Sequence, residues 1–400
     1  MGSGEHGGAA TGAWEPEAAA RIAGPQPFFA TAARGTEGAL RDELRALRLP
    51  EVRAERGGVR FGGGRREALR AALWSRVAVR VLWQVAECEA RDGDALYAGV
   101  RDGFDWRRVL DARRTLAVSA TVRDGSLTHS GFVALRTKDA IVDALRDRIG
   151  ARPSVDRDDP DVGVFVHLVR DRATVYLDVG GGPLHLRGYR ASAREAPLKE
   201  TLAAAILRLG GWDRRRPLAD PMCGSGTFVI EAAQWARGLA PGLLRPRFGA
   251  ERWADHDAGH AAALEALRVE ARDGVRGASE VPALFGGDVD PRAIAAARDN
   301  ARRARVADVA DFAVQDLADL GPADPPGHVF VNPPYGVRLA GGPALDRHLA
   351  RALRRLEGHR VTALVADRGL ERALRPLRPA QEHAVWNGDI ECRVMSWEIP

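Results

Sequence analysis

Apolar positions change period repeatedly along the 400-residue chain, and the changes mark out its elements. Phe28-Phe29-Ala30-Thr31-Ala32 reads as a strand broken by Arg34-Gly35. Thr36 to Leu47 then places Leu40, Leu44 and Leu47 at helical spacing. Val52 to Phe61 reads as two short strands around Gly57-Gly58, a hairpin signal. Residues 65–76 read as a helix with Ala68, Leu69, Ala72 and Leu73 on its apolar side, and Val79, Val81, Trp83 and Val85 alternate as a half-buried strand. Leu116 to Val118 reads as a strand, and Lys138 to Ile149 as a helix with Ile141, Val142, Leu145 and Ile149 facing inward. Val162–Val169 and Ala173–Val179 form a hairpin across Arg170-Asp171-Arg172. This half is α+β. Nothing in it pairs a nucleophile with a base or cradles a phosphate, which makes it a binding or scaffolding module.

The second half alternates strand and helix. Residues 198–209 are good helix formers closed by Gly210-Gly211. Leu284 to Asp288 and Phe312 to Val314 read as strands, with a helix from Ala293 to Arg305 between them. Val329-Phe330-Val331 reads as a short buried strand. After it come a helix through Leu345, Leu349, Leu353 and Leu356, then a strand from Val361 to Val365. Asn387-Gly388 between two strand-like runs predicts a closing hairpin, so the last strand runs antiparallel to its predecessor. The expected fold is α/β: a largely parallel sheet finished by an antiparallel hairpin, preceded by the α+β half.

Composition narrows the class. A hydrophobic content of 45% supplies cores for two or three domains, and no apolar run approaches the roughly 20 residues of a membrane span. The first 26 residues, rich in Gly, Ala and Glu, read as a disordered tail without signal-peptide character. Cys88, Cys223 and Cys392 are far apart and show no metal-ligand spacing, so a reduced, cytoplasmic protein without a metal site is expected. Of the 59 basic residues all but Lys138 and Lys199 are Arg, a bias that codon composition explains more simply than nucleic-acid binding does. Residues 27–190 nevertheless carry 29 basic and 23 acidic groups, against 29 and 28 in residues 191–400, which fits weak polyanion affinity in the first half.

Candidate chemistry lies in the second half. Asp220-Pro221-Met222-Cys223-Gly224-Ser225-Gly226-Thr227 carries a strand into a glycine-rich turn and then a helix beginning at Phe228. Without a lysine it is not a Walker A loop, and Val229 stands where a dinucleotide fingerprint needs its third glycine. Asp290 with Pro291 is a helix start, whereas Asp288 has no such local role and sits at a strand end suited to ribose hydroxyls. Asp316 ends the next strand similarly, with a plain helix cap as its alternative role. Asn332-Pro333-Pro334-Tyr335 leaves its strand abruptly, because two prolines forbid continuation. An Asn side chain and Pro carbonyls beside an aromatic ring suit a flat, amine-bearing base.

The loop at 220–227 resembles the first motif of class I S-adenosylmethionine methyltransferases. By that resemblance Asp220, Cys223, Gly224, Gly226, Thr227, Asp288, Asp316 and Asn332 hold the cofactor, Asp288 through its ribose and Asp316 through its adenine. The same resemblance gives Asn332, Pro333, Pro334 and Tyr335 the catalytic role on an exocyclic amine. Residues 241–280 read as an insertion beside the cofactor site.

Phe29–Glu37, Leu73–Arg76 and Leu135–Asp143 resemble the ferredoxin-like plus THUMP pair of THUMP-containing RNA methyltransferases. The order of motifs from Phe28 to Trp397 is similar to the bacterial 23S rRNA guanine-N2 methyltransferases of that family. Val155–Asp158, Leu184–Arg190 and Ala196–Thr201 share the likeness, which covers the guanine-N2 half of proteins that sometimes carry a second methyltransferase domain. It implies a tail at 1–26, a ferredoxin-like domain at 27–66, a THUMP domain at 67–182 and a class I methyltransferase domain at 190–400. It also implies S-adenosylmethionine as cofactor, an RNA partner, and an RNA-facing surface near Arg136 and Lys138. Rivals are a tRNA guanine-N2 methyltransferase, a DNA amino-methyltransferase, and an RNA-binding assembly factor with an inactive methyltransferase fold. The four residues 332–335 alone do not separate guanine N2 from adenine N6 or cytosine N4.

Overall fold

The computed structural model describes residues 26–150, 152–190, 198–322, 324–334 and 342–400. The tail expected at 1–26 thus lies outside the described residues except for Gln26, whose N–H is bonded to Gly63 O.

Strands β1 (Phe28–Thr31), β2 (Arg53–Glu55), β3 (Gly58–Phe61), β4 (Arg80–Glu89), β5 (Thr115–Arg123), β6 (Ser154–Val155), β7 (Val162–Val169) and β8 (Arg172–Asp178) form one mixed sheet. Its order is β2-β3-β1-β4-β8-β7-β5-β6. Strand β4 is the seam: Leu82 pairs with Phe29 on one side and Asp178 on the other. The expected ferredoxin-like and THUMP parts therefore share a continuous sheet. Its helices are α1 (Glu37–Ala46), α2 (Arg65–Trp74), α3 (Gly93–Asp102) and α4 (Ser130–Ile149). The division of this half at 66/67 stays a proposal; both residues lie in α2.

Several elements outrun their sequence expectations, and for β4 and α4 the reason is visible. Strand β4 continues to Glu89 because an irregularity between Gln84 and Ala86 shifts its register and ends the simple alternation. Helix α4 starts eight residues before Lys138. The His129 ring accepts the Phe132 N–H at 3.1 Å as its cap, while exposed Phe132 and Leu135 blur the apolar stripe that Val133 begins.

The second half contains α5 (Glu200–Leu209), β9 (Leu218–Asp220), α6 (Thr227–Ala236), α7 (Ala258–Asp273), β10 (Leu284–Asp288), α8 (Pro291–Arg303), β11 (Asp311–Val314), β12 (His328–Val331), α9 (Pro343–Leu353), β13 (Arg360–Val365), α10 (Gly369–Leu374), β14 (Gln381–Asn387) and β15 (Ile390–Glu398). The sheet order is β11-β10-β9-β12-β13-β15-β14, with β9 to β13 parallel and β15 antiparallel to both neighbours. The chain moves outward from β9 through β10 to β11, then returns to place β12 on the other side of β9. The strand order therefore reverses between β9 and β12, where open α/β sheets form a crevice at their carboxyl edge.

Residues 241–280 do not form an insertion beside the cofactor loop. Trp253 stacks on Trp83 of β4 with ring centroids 5.8 Å apart, and Leu264, Leu267 and Ala271 of α7 join the hydrophobic core of the first sheet. Arg65–Asp255 and Arg70–Glu270 ion pairs tie α2 to the same segment. Read along the sequence, the segment adjoins the cofactor loop; its apolar face is nevertheless buried against the other half.

A buried polar cluster completes the junction. Glu43 of α1 accepts from Ser75 Oγ, the Arg76 and Val77 N–H groups, and Arg208 of α5. Arg76 reaches Gln234 O at 3.0 Å, and Arg187 donates to Arg76 O at 2.6 Å while pairing with Glu231 of α6. Burial lowers the Arg76 pKa to about 10.

Candidate active site

Strand β9 ends at Asp220, and the turn after it is shaped by its glycines. Gly226 has φ +85°, and a Cβ there would meet Phe312 and Ala297 within about 3 Å. Gly224 also has positive φ, yet no atom lies within 4 Å of where its Cβ would stand. The first glycine is required by packing; the second leaves open space over the turn, ahead of the N-terminus of α6. Asn300 of α8 holds the turn from behind, its Nδ2 donating to Ser225 O at 3.0 Å. Cys223 is pinned by its N–H to Gly287 O at 2.9 Å, and burial pushes its thiol pKa well up.

Asp288, at the end of β10, does have a structural role, contrary to the sequence expectation. Its Oδ2 accepts the Gly224 N–H at 2.9 Å and its Oδ1 the Asp290 N–H at 3.0 Å. The carboxylate thus clamps the glycine turn to its own strand, a long-range bond that local spacing could not reveal. Asp290 caps α8 as expected, accepting from the Arg292 N–H.

Asp220 is 2% exposed and accepts the Met222 N–H at 3.1 Å. Burial, reinforced by the charge of Asp288, outweighs that bond and pushes its carboxyl up to about 8. Asp316 is exposed: it caps the turn 317–319 through the Ala318 N–H at 2.7 Å and lies 3.5 Å from His348 Nε2. The cap role foreseen for it is present.

Asn332 leaves β12 next to the strand reversal. Phe330 beneath it is fully buried against Phe228, and His328 is anchored by Thr362 at 2.8 Å. Burial lowers the His328 pKa to about 3. Among the described residues the buried Asn332 Oδ1 has no hydrogen-bond partner. Pro333 is buried and Pro334 half-buried; Tyr335 lies outside the described residues. From the strand register, Asp316, Asp288, Asp220 and Asn332 end four adjacent strands, a row spanning about 14 Å.

Arg190 escaped the sequence reading of the site. Its guanidinium bonds Thr227 Oγ1 and Leu198 O, both at 2.8 Å, and pairs with Glu200 at 2.7 Å. It fastens the segment before α5 to the first residue of the helix behind the glycine turn. A lone arginine in an arginine-rich chain gave no signal. Arg136 is committed to packing: it donates to Gly93 O and Asp94 and lies over the Tyr97 ring, joining α4 to α3. Lys138 pairs with its neighbour Asp139.

Residues 187–396 match the RMKL-like methyltransferase domain family. The chain belongs to that family. Residues 90–178 match the THUMP domain and residues 27–82 the RlmL ferredoxin-like domain. The ribosomal RNA large subunit methyltransferase K/L of Syntrophotalea carbinolica is 42% identical over 388 residues, covering 94% of this chain and 54% of that protein. The chain thus spans about half the length of this curated relative. Two solved structures share the whole architecture. SMU.472, described as a methyltransferase and complexed with SAH, is 30% identical with a TM-score of 0.84, covering 94% of this chain and 99% of its own. A predicted N6-adenine-specific DNA methylase from Listeria monocytogenes str. 4b F2365 is 28% identical with a TM-score of 0.83, covering 98% and 100%. Membership of this family and the α/β methyltransferase fold with its N-terminal pair of domains agree with the expectations drawn from residues 220–227 and 29–143.

Proposed function

We propose that the chain transfers a methyl group from S-adenosylmethionine to the exocyclic N2 amine of a guanine in structured RNA, 23S rRNA before tRNA, in the cytoplasm. The observation that carries this reading is the orphaned Asn332 Oδ1, a buried acceptor held at the strand reversal with no donor of its own. A buried acceptor left unpaired is costly, and an incoming amine removes the cost. The large-subunit rRNA methyltransferase relative and the THUMP domain match support RNA as the substrate class.

The residues present suit the cofactor. The open space over Gly224 admits a ligand to the turn, and the family resemblance gives the acceptors Asp288 and Asp316 to its ribose and adenine. Bound there, S-adenosylmethionine supplies a methyl group made electrophilic by its sulfonium. The protein's task is positioning. An exocyclic base amine is a poor nucleophile because its lone pair is delocalised into the ring. Asn332 Oδ1 and the Pro333 carbonyl would accept hydrogen bonds from the amine and turn its lone pair toward the methyl donor, and the family resemblance gives Tyr335 the role of stacking on the base. The base must be flipped out of its helix to reach them.

The test is mass-spectrometric mapping of modified nucleosides in rRNA and tRNA from cells lacking the protein. Loss of one N2-methylguanosine from large-subunit rRNA is expected. Loss confined to tRNA would replace the substrate, and loss of a methylated adenine would replace the chemistry.

A further inference from the structure

Where the β14–β15 hairpin meets the first half, a cavity of about 490 Å³ opens between Arg34, Val79, Lys199, Thr201, Trp386 and Asp389. Nothing in the methyl-transfer site uses it. Given that the chain methylates RNA, we propose that this cavity holds a nucleotide of the substrate strand flanking the target base.

Each wall contributes a group suited to that ligand. The Arg34 guanidinium lies 3.7 Å over the Trp386 ring, and the Trp386 N–H to Arg34 O bond of 3.0 Å fixes the two backbones together. Arg34 is exposed, so the planar cation rests one face on the indole and offers the other to a base, a stacking platform that RNA-binding proteins use widely. Lys199 is exposed at the start of α5, so its ammonium attracts a phosphate from the cavity's open side. Thr201 is 2% exposed, and among the described residues its Oγ1 has no hydrogen-bond partner. A buried hydroxyl left unmet on the wall of a cavity needs a ligand oxygen or amine to meet it. Asp389 repels phosphate from its own side and suits a base amine, which orients the nucleotide with its phosphate toward Lys199.

The location fits a strand leaving the active site. The β14–β15 tip projects from the carboxyl edge that bears Asn332: Val365 pairs with Arg393, and β15 extends three residues beyond that pair to Ile390. Three strand spacings across and about three residues further along place Trp386 on the order of 15–20 Å from Asn332. At about 3.4 Å per stacked nucleotide, and more when extended, a short single-stranded segment covers that span. Because the base at Asn332 is flipped, its neighbours are unpaired and free to occupy such a platform.

The test uses the full chain, unmodified large-subunit rRNA and separate titrations of RNA and S-adenosylmethionine. Arg34→Ala is expected to raise KM for RNA about 10-fold, the scale of one lost stacking contact. Thr201→Val keeps the shape and is expected to raise it about 3-fold without lowering the melting temperature. Lys199→Ala should reduce the salt dependence of RNA affinity by about one unit of slope. In all three the KM for S-adenosylmethionine stays unchanged. Should Arg34→Ala fold poorly, Thr201→Val carries the test alone. Unchanged RNA KM in active variants overturns the proposal, and a rise in cofactor KM instead assigns the cavity to the cofactor. A wild-type chain that methylates no RNA removes the underlying reading itself, a result that the variants need not be made to obtain.

Discussion

Glu43 at the junction of the two halves and Asn332 at the carboxyl edge of the second sheet are both buried acceptors in opposite circumstances. Four donors converge on the Glu43 carboxylate, from Ser75, Arg76, Val77 and Arg208, whereas Asn332 Oδ1 meets none. The first arrangement stabilises the fold; the second leaves a cost standing until a ligand arrives. The Glu43 carboxylate is thus built to hold, whereas Asn332 Oδ1 is left to bind.

The largest expected effect breaks the first member of this pair. Glu43→Ala leaves the buried Ser75 hydroxyl and the Arg76 and Val77 N–H groups without their acceptor and the partly buried Arg208 without its ion-pair partner, and should cost about 3–5 kcal/mol in urea unfolding. Its pH dependence is a sharper check. Burial alone would raise the Glu43 pKa, but Arg208 and the Ser75, Val77 and Arg76 hydrogen bonds overcome it and hold the carboxyl below its ordinary value. Stability from a depressed carboxyl is fully present above the unfolded pKa and lost as pH falls through the folded one. Wild type should therefore lose stability on the acid side below about 4.5, and the variant should lack that component.

Asn332→Ala attacks the second member and should leave stability intact or slightly improved, since it deletes an orphan. Methyl transfer should fall about 100- to 1,000-fold, as when one preorganised polar group is removed from a catalytic site. Calorimetric affinity for S-adenosylmethionine should hold. Equal losses in transfer and affinity would show that Asn332 serves the cofactor instead of the amine.

The two regions also differ in how far the sequence disclosed them. The carboxyl edge was legible because its residues are close in sequence to the breaks that position them: Gly224 and Gly226 in their turn, Asp290 before its helix, Asn332 before two prolines. The junction was hidden because its partners are distant, as Glu43 to Arg208 and Arg187 to Glu231 show. An arginine buried against a carbonyl looks, in a chain with 57 arginines, like any solvated one. The Asp288 clamp on Gly224 was missed for the same reason, and so was the docking of Trp253 onto Trp83.

Asp288 stands between the two extremes, since it both holds and is placed to bind. Asp288→Ala removes acceptors from the Gly224 and Asp290 N–H groups together with the proposed ribose contact. Affinity for S-adenosylmethionine should drop roughly 10- to 100-fold, the scale of a charged hydrogen bond, with a smaller change in the transfer rate at saturating cofactor. Asp288→Asn keeps the shape and should recover part of the loss; no difference between Ala and Asn would mean that the carboxylate's charge and hydrogen bonds are not what the cofactor uses.

The smallest effect on ligand binding belongs to Asp220, while its effect on stability grows with pH. Burial, opposed by the Met222 N–H and reinforced by Asp288, raises its carboxyl to about 8, so at pH 7 it is largely the neutral acid. A group whose folded pKa is raised costs stability as pH climbs from the unfolded value, about 3.9, toward 8. Asp220→Asn imitates the neutral acid, so its stability should match wild type below about pH 4 and exceed it by a growing margin between about pH 4 and 8. Ligand affinity should move oppositely. The S-adenosylmethionine sulfonium makes the cofactor more positive than S-adenosylhomocysteine by one charge, and a positive charge at this edge favours ionised Asp220. Wild-type affinity for S-adenosylmethionine, relative to S-adenosylhomocysteine, should therefore rise between pH 6 and about 8 and release protons on binding, and Asp220→Asn should flatten the rise. Parallel pH profiles for the two ligands in wild type would place Asp220 among the groups that hold the fold, on the same side of the comparison as Glu43.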